Sequence, residues 1–260
     1  MTKIIIKGRG YVGKATEKFL LRHTNIGPVE FDDPPLNIYS EQFDQANWCV
    51  ICVPTPMGSN GLNSDEIVFK AIRGAEFYNF GGNYLVRSTL SLGSITKLET
   101  VLGNRLIIWP EFIRANHWEH DAIHPKLVVL GGARAGDFTE KFTSMPRTTV
   151  FTVTAHEAMA MKLASNTFLS MKVVFANQLY DLCQAHGINY TNVAGLLRNE
   201  PRLGPTHWET PGPDGSRGFG GHCFPKDSTT YKTELQNAGI DAKMLEQMLN
   251  INQRLRNAKV

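Results

Sequence analysis

The residues of this chain best placed to do chemistry form the run Gly218-Phe219-Gly220-Gly221-His222-Cys223-Phe224-Pro225-Lys226-Asp227. It sets one thiol on a glycine-rich loop, with an ammonium and a carboxylate three and four residues later. The thiolate is the reactive form of cysteine, and a cation or main-chain N–H groups beside it favour that form. Glycines let the backbone close on a substrate at the thiol. Near the other end of the chain, Gly8-Arg9-Gly10-Tyr11-Val12-Gly13 has the spacing of a dinucleotide-binding turn. A nucleotide cofactor and a loop-borne thiol together point to redox chemistry through a covalent thio-intermediate.

The elements that must position these groups follow from the apolar patterning. Strands are predicted at Ile4–Lys7, Val29–Phe31, Trp48–Val53, Tyr84–Ser88, Leu106–Trp109 and Lys126–Gly131, with helices at Tyr11–Arg22, Asp65–Tyr78 and Ile95–Leu102. This alternation predicts a doubly wound parallel sheet with helices on both faces, a Rossmann-like α/β unit over residues 1–153. Gly8, Gly10 and Gly13 then lie between the first strand and the first helix. The first allows the tight turn, the second lets a pyrophosphate approach the backbone, and the third lets helix pack on strand. Asp32 closes the second strand about 20 residues further on, where an acid bonds the ribose hydroxyls and favours NAD over NADP. Asp33 or Glu30 takes that place in a shifted register.

From Thr154 the texture changes. Thr154 and Glu157 spell a capping box, and the chain then runs without Pro or Gly to His186, with Gly187 as a stop. This predicts a long central helix of about 45 Å, opening a helical domain over residues 154–260. Shorter helices are predicted at Asn192–Arg198 and Met244–Asn257. The Gly/Pro-rich stretch 201–227 between them is too long for a plain connector and holds the cysteine.

Composition narrows the function classes. The 260 residues are 42% hydrophobic and 20% charged with a net charge of +3, too small to argue for nucleic acid. The apolar runs are strand-length, which predicts no membrane span, and the start lacks the features of a signal peptide. Cys49, Cys52, Cys183 and Cys223 make no disulfide framework, so the cytoplasm is the expected compartment. Cys49 and Cys52 form a C-x-x-C pair inside the apolar run Trp48–Val53. With no second pair to complete a metal site, they read as core residues, and no metal is expected.

With these motifs in order along the chain, the sequence resembles the nucleotide-sugar dehydrogenases, and within them the UDP-glucose 6-dehydrogenases. The resemblance rests on Gly8–Gly13, Val53-Pro54-Thr55-Pro56, Ser88-Thr89, Pro110-Glu111-Phe112-Ile113-Arg114, the helix residues Glu157, Lys162 and Asn166, and the loop Gly218–Asp227. It implies oxidation of a sugar C6 alcohol to a carboxylate with two NAD. Cys223 would pass through a thiohemiacetal and a thioester. Lys162 and Asn166, four apart on one helix face, would stabilise the oxyanion. Asp227, Thr89 and Glu111 would handle water or act as general base. NAD would meet Gly8, Gly10, Tyr11, Val12, Gly13, Asp32, Val53, Pro54, Thr55, Ser88 and Thr89.

The substrate, in the same implied reading, would meet Glu111, Phe112, Ile113, Lys162, Asn166, Phe219 and Gly220, with Arg202 reaching the neighbouring subunit's site. A homodimer through the 154–186 helix is expected, because so long a helix must cover its apolar face. Family members usually continue into a third, nucleotide-binding domain, whereas this chain stops at Val260. It therefore reads as a short form, with the nucleotide end left to a dimer, a partner or a different substrate. GDP-mannose is the nearest alternative substrate. A two-electron hydroxyacid dehydrogenase and an inactive NAD-binding dimerisation protein are the alternative functions.

Overall fold

A strand covered by helices on both faces has no solvent side, so each of its residues is apolar. Ile4, Ile5 and Ile6 meet that condition, as do Cys49, Val50 and Ile51, and all six are fully buried. In the computed structural model, which describes residues 3–32, 43 and 45–257, these runs form the centre of a seven-stranded sheet. Its strands are β1 (Lys3–Lys7), β2 (Val29–Asp32), β3 (Ala46–Ile51), β4 (Asn83–Val86), β5 (Leu106–Ile108), β6 (Leu127–Gly131) and β7 (Thr149–Val153). They lie in the order β2-β1-β3-β4-β5-β6-β7. The first five pair in parallel, and their register sets Asp32, Lys7, Ile51, Val86 and Ile108 in one row. The residues that follow this row form the carboxyl edge of the sheet. The strand order reverses between β1 and β3, where open α/β sheets bind their ligands.

The sheet departs from the all-parallel expectation at its far end. β6 pairs antiparallel with β5 through Ile108 and Gly131, and β7 then runs parallel to β6. Between β5 and β6 the chain makes only a 3-10 turn and one short helix before it returns. The sequence reading passes over β7, an edge strand whose Thr149, Val150, Phe151 and Thr152 are exposed, so it carries no buried apolar run.

The helices of this unit are α1 (Tyr11–His23), α2 (Glu66–Phe77), α3 (Leu92–Leu102), α4 (Trp118–Ile123) and α5 (Ala135–Thr139). Phe19 and Leu20 of α1 pack with Ile4, Ile6, Val50 and Trp109 in one core cluster. α4 is held to α1 by a hydrogen bond between the His23 ring and the Ile123 carbonyl (2.8 Å) and by Lys18, which sits over the Trp118 ring.

The remaining helices are α6 (Ala155–Ala185), α7 (Tyr190–Arg198), α8 (Phe224–Asn237) and α9 (Lys243–Asn257). The capping box of α6 is reciprocal: Thr154 N–H donates to Glu157 Oε2 (2.8 Å), and Glu157 N–H donates to Thr154 Oγ1 (3.2 Å). At the other end Gly187 takes a positive φ, and Ile188 N–H reaches back to the Cys183 carbonyl (2.8 Å). The chain divides into two compact units within this helix: Met1–Met57 with Asn63–Lys162, and Gly58–Leu62 with Leu163–Val260. The expected boundary at 153/154 lies at the helix start. In the second unit Val174, Phe219, Leu245 and Met248 form one core cluster, and Ala176, Cys183, Tyr190 and Trp208 another. Helix α8 lies partly where a loop was expected.

Candidate active site

In the first unit the site is built on the carboxyl edge of the sheet. Gly8 follows β1 with φ +99, and a Cβ there would come within 2.7 Å of the Cys52 carbonyl oxygen. A Cβ at Gly13 would overlap the carbonyl oxygen of Gly8, so the start of α1 and the turn touch backbone to backbone. Gly10 differs, with open space where its side chain would be. It is the N-cap of α1, makes no side-chain cap bond, and no acid occupies the first turn. The N-terminus of that helix therefore opens at Gly10 onto space that a Cβ would enter, which fits the diphosphate of a dinucleotide.

The residues around this cradle follow from strand register. Val53 comes two residues after β3, and its carbonyl accepts from Ser88 Oγ (2.7 Å). Thr55, Ser88 and Thr89 are buried, Val53 half-buried and Pro54 exposed, and Tyr11 and Val12 stand in the first turn of α1. The Thr89 carbonyl accepts from Asn63 Nδ2 (3.2 Å). Asp32 ends β2 as expected and is ion-paired to Lys7, its register partner on β1. Glu30 pairs with Lys3, and Asp33 lies outside the described residues.

Glu111 and Lys162 form the second feature of this unit. Both are more than nine-tenths buried. Lys162 Nζ donates to the Glu111 carbonyl (2.6 Å) and to its Oε1 (3.1 Å), while Oε2 accepts from Ile113 N–H (2.8 Å). The ammonium also lies 5.4 Å from the centre of the Phe112 ring. Each charge is thus met by an opposite charge or a dipole, as burial requires. Arg87, missed by the sequence reading, is buried with its guanidinium 4.0 Å from the Trp109 ring centre. Burial lowers its pKa from the ordinary arginine value, with Cys52 and Glu111 acting in the opposite direction.

The second unit holds the cysteine. Cys223 is the N-cap of α8, with Pro225 in the first turn, where a missing N–H costs nothing. The N-terminal N–H groups of a helix favour negative charge on a group placed there. One turn on, the Asp227 carboxylate is fully buried and both its oxygens are engaged. Oδ2 accepts from Asn166 Nδ2 (2.6 Å) and Oδ1 from Lys226 Nζ (2.6 Å). Ser170, one turn beyond Asn166 on α6, donates to the Asn166 carbonyl (2.8 Å) and accepts from Ser228 (3.0 Å).

The glycine run before Cys223 is pinned by two amides. Asn177 Oδ1 accepts from Gly218 N–H (3.2 Å), and Asn252 bonds both the N–H and the carbonyl of Phe219. Gly220 lies against the Arg256 guanidinium, which a Cβ there would displace. Arg202 is exposed and its guanidinium is taken by Glu200 (2.8 Å). Lys226 was read from sequence as an ammonium near the thiol, whereas Ser170, Asn177 and Asn252 were not singled out. Of these three only Ser170, four residues after Asn166, carried a signal. Of the other thiols Cys49 and Cys183 are buried and Cys52 is half-buried, and desolvation pushes Cys52 up to about 11 and Cys49 higher still.

Residues 156–254 match the central domain of the UDP-glucose/GDP-mannose dehydrogenase family. Over this stretch the chain is similar to that family. Among curated relatives, a UDP-glucose 6-dehydrogenase of Rickettsia conorii is 28% identical over 225 residues, covering 83% of this chain and 51% of the relative. The chain thus spans about half the length of the curated relatives it matches. In fold it is similar to a UDP-glucose dehydrogenase of Pyrobaculum islandicum, with a TM-score of 0.81, 22% identity, and coverage of 98% of this chain and 68% of that one. It is also similar to a 3-hydroxyisobutyrate dehydrogenase of Mycobacterium tuberculosis, with a TM-score of 0.74, 14% identity, and coverage of 98% and 93%. Among the described residues no helix is long and apolar enough to cross a membrane.

Proposed function

We propose that the chain carries out the NAD-dependent four-electron oxidation of a nucleotide sugar at C6, UDP-glucose to UDP-glucuronate, with Cys223 as the nucleophile. The observation that carries this reading is the thiol at the N-cap of α8, one turn before an Asp227 held by Asn166 and Lys226. NAD, bound at the Gly8–Gly13 cradle and near Asp32, supplies the hydride acceptor for each of two steps. Loss of one hydride and one proton turns the C6 alcohol into an aldehyde. Cys223 adds to that carbonyl, with its proton going to the new oxygen, to give a thiohemiacetal. Loss of a second hydride and that proton leaves a thioester. Water adds to the thioester, the C–S bond breaks, and the carboxylate leaves with the thiol restored.

Asn166 and the N–H groups at the start of α8 are the donors for the oxyanion of these tetrahedral species. Asp227 holds Asn166 and orients the water. Lys162 and Glu111, with Thr89, act as a second donor and base set, and Phe112, Ile113, Phe219 and Gly220 line the sugar. The chain works as a homodimer through α6, and Arg202 serves the neighbouring subunit. Phe168, Phe175 and Leu182 support that arrangement: they recur every seven residues along α6 and are all exposed.

A second reading, a two-electron hydroxyacid dehydrogenase, is favoured by the near-complete coverage of the 3-hydroxyisobutyrate dehydrogenase. It needs no cysteine. Turnover of UDP-glucose and GDP-mannose by the native chain and by Cys223→Ala separates the two. Loss of acid formation in the variant supports the first reading, and undiminished turnover excludes its cysteine-dependent four-electron mechanism.

A further inference from the structure

The acid expected to select NAD is not free to do so. Asp32 sits at the end of β2, and its Oδ2 is taken by the ammonium of Lys7, the residue directly opposite it on β1. Both side chains are largely buried, and the same ammonium lies 5.0 Å from the centre of the Phe43 ring. An unpaired carboxylate at this place repels the phosphate that distinguishes NADP from NAD. Here the pair is neutral overall, so that repulsion falls away.

A second cation stands beside the pair. Arg9, between the first two glycines of the turn, is exposed, and its guanidinium lies 5.2 Å from the ring centre of Phe31, the neighbour of Asp32. Phe31 in turn lies against Gly13, since a Cβ there would be 3.5 Å from its ring. The guanidinium is thereby held at the junction of the glycine turn and the end of β2. A planar guanidinium matches a phosphate through two parallel N–H donors. Lys7, Asp32 and Arg9 together carry one net positive charge where a lone acid would carry one negative.

We infer that Lys7 and Arg9 set the cofactor specificity of this chain, and that its dinucleotide site accepts the 2′-phosphate of NADP alongside NAD. Asp32 keeps Oδ1 for a ribose hydroxyl of NAD, and Arg9 takes the phosphate of NADP. This rests on the nicotinamide-cofactor reading of the Gly8–Gly13 turn.

The test is calorimetric titration of the native chain with NAD+ and with NADP+, without sugar substrate. The inference expects both to bind, with dissociation constants within about 30-fold of each other. Arg9→Ala, at an exposed position, weakens NADP+ by at least about 5-fold more than NAD+. Lys7→Met, which restores the bare acid, shifts the preference the same way, and Arg9→Ala carries the test if that variant fails to fold. A native chain that binds NAD+ but disfavours NADP+ by more than about 30-fold overturns the inference alone. So does an Arg9→Ala variant that weakens both dinucleotides equally. A native chain that binds neither overturns the nicotinamide reading itself.

Discussion

Asn166 Nδ2 donates to Asp227 Oδ2 at 2.6 Å, tying the middle of α6 to the first turn of α8, four residues after the cysteine. A buried carboxylate with both oxygens engaged tolerates little change. Asp227→Asn removes the charge that Lys226 and Asn166 meet, and is expected to lower acid formation at least about 100-fold and stability by about 1–3 kcal/mol. Asn166→Asp sets two carboxylates together and costs more. Urea midpoints and initial rates of NADH formation check both.

The Lys162–Glu111 pair predicts a non-additive cycle. Lys162→Met leaves a buried carboxylate without its cation and should cost about 3 kcal/mol or more. Adding Glu111→Gln removes the orphaned charge, so the double variant is expected to be more stable than Lys162→Met alone. Thermal unfolding of the four proteins measures the coupling.

The glycine turn predicts a contrast between two alanines. Gly13→Ala drives a methyl into the Gly8 backbone and should destabilise the first unit. Gly10→Ala enters open space, so its melting temperature should stay within about 2 °C of native. Its nucleotide affinity should nevertheless fall about 10-fold or more, because the methyl occupies the cradle. Equal losses of stability in the two variants contradict this.

Much of this was legible in sequence, for reasons that particular residues make plain. The glycine turn, the Thr154–Glu157 box and the strand row are local patterns, set by backbone freedom, capping and burial on both faces. Helix α8 was missed because Gly220, Gly221 and Pro225 read as breakers. A proline in the first helical turn loses no hydrogen bond, and a helix can start there. β7 was missed because an exposed edge strand needs no apolar run. The Lys7–Asp32 pair depends on strand register, and the grip of Asn177 and Asn252 on the loop depends on contacts remote along the chain. Neither leaves a spacing to read.

Acid stability has a predicted direction. The Arg114 guanidinium bonded to Asp121 holds that carboxyl down at about 2, against the usual 3.8. A folded pKa below the unfolded one gives stability that is fully present above about 4 and lost as pH falls toward 2. Arg114→Ala should therefore narrow the stability difference between pH 6 and pH 2.5. Urea midpoints at the two pH values read it, and an unchanged difference speaks against the pair.

The thiols should sort by burial and by the desolvation that raises Cys52. At pH 8 a thiol with a pKa of about 11, as for Cys52, is thiolate in only about one part in a thousand. Cys49 and Cys183 are buried. Iodoacetamide should label one thiol in the native chain, Cys223, and all four after unfolding, as read by peptide mass.

The central claim is that Cys223 carries a four-electron oxidation, and the most direct measurement is the ratio of NADH formed to uronate released from UDP-glucose. Two NADH per uronate, with no uronate from Cys223→Ala, is the predicted result. One NADH per oxidised product, unchanged in Cys223→Ala, would contradict it.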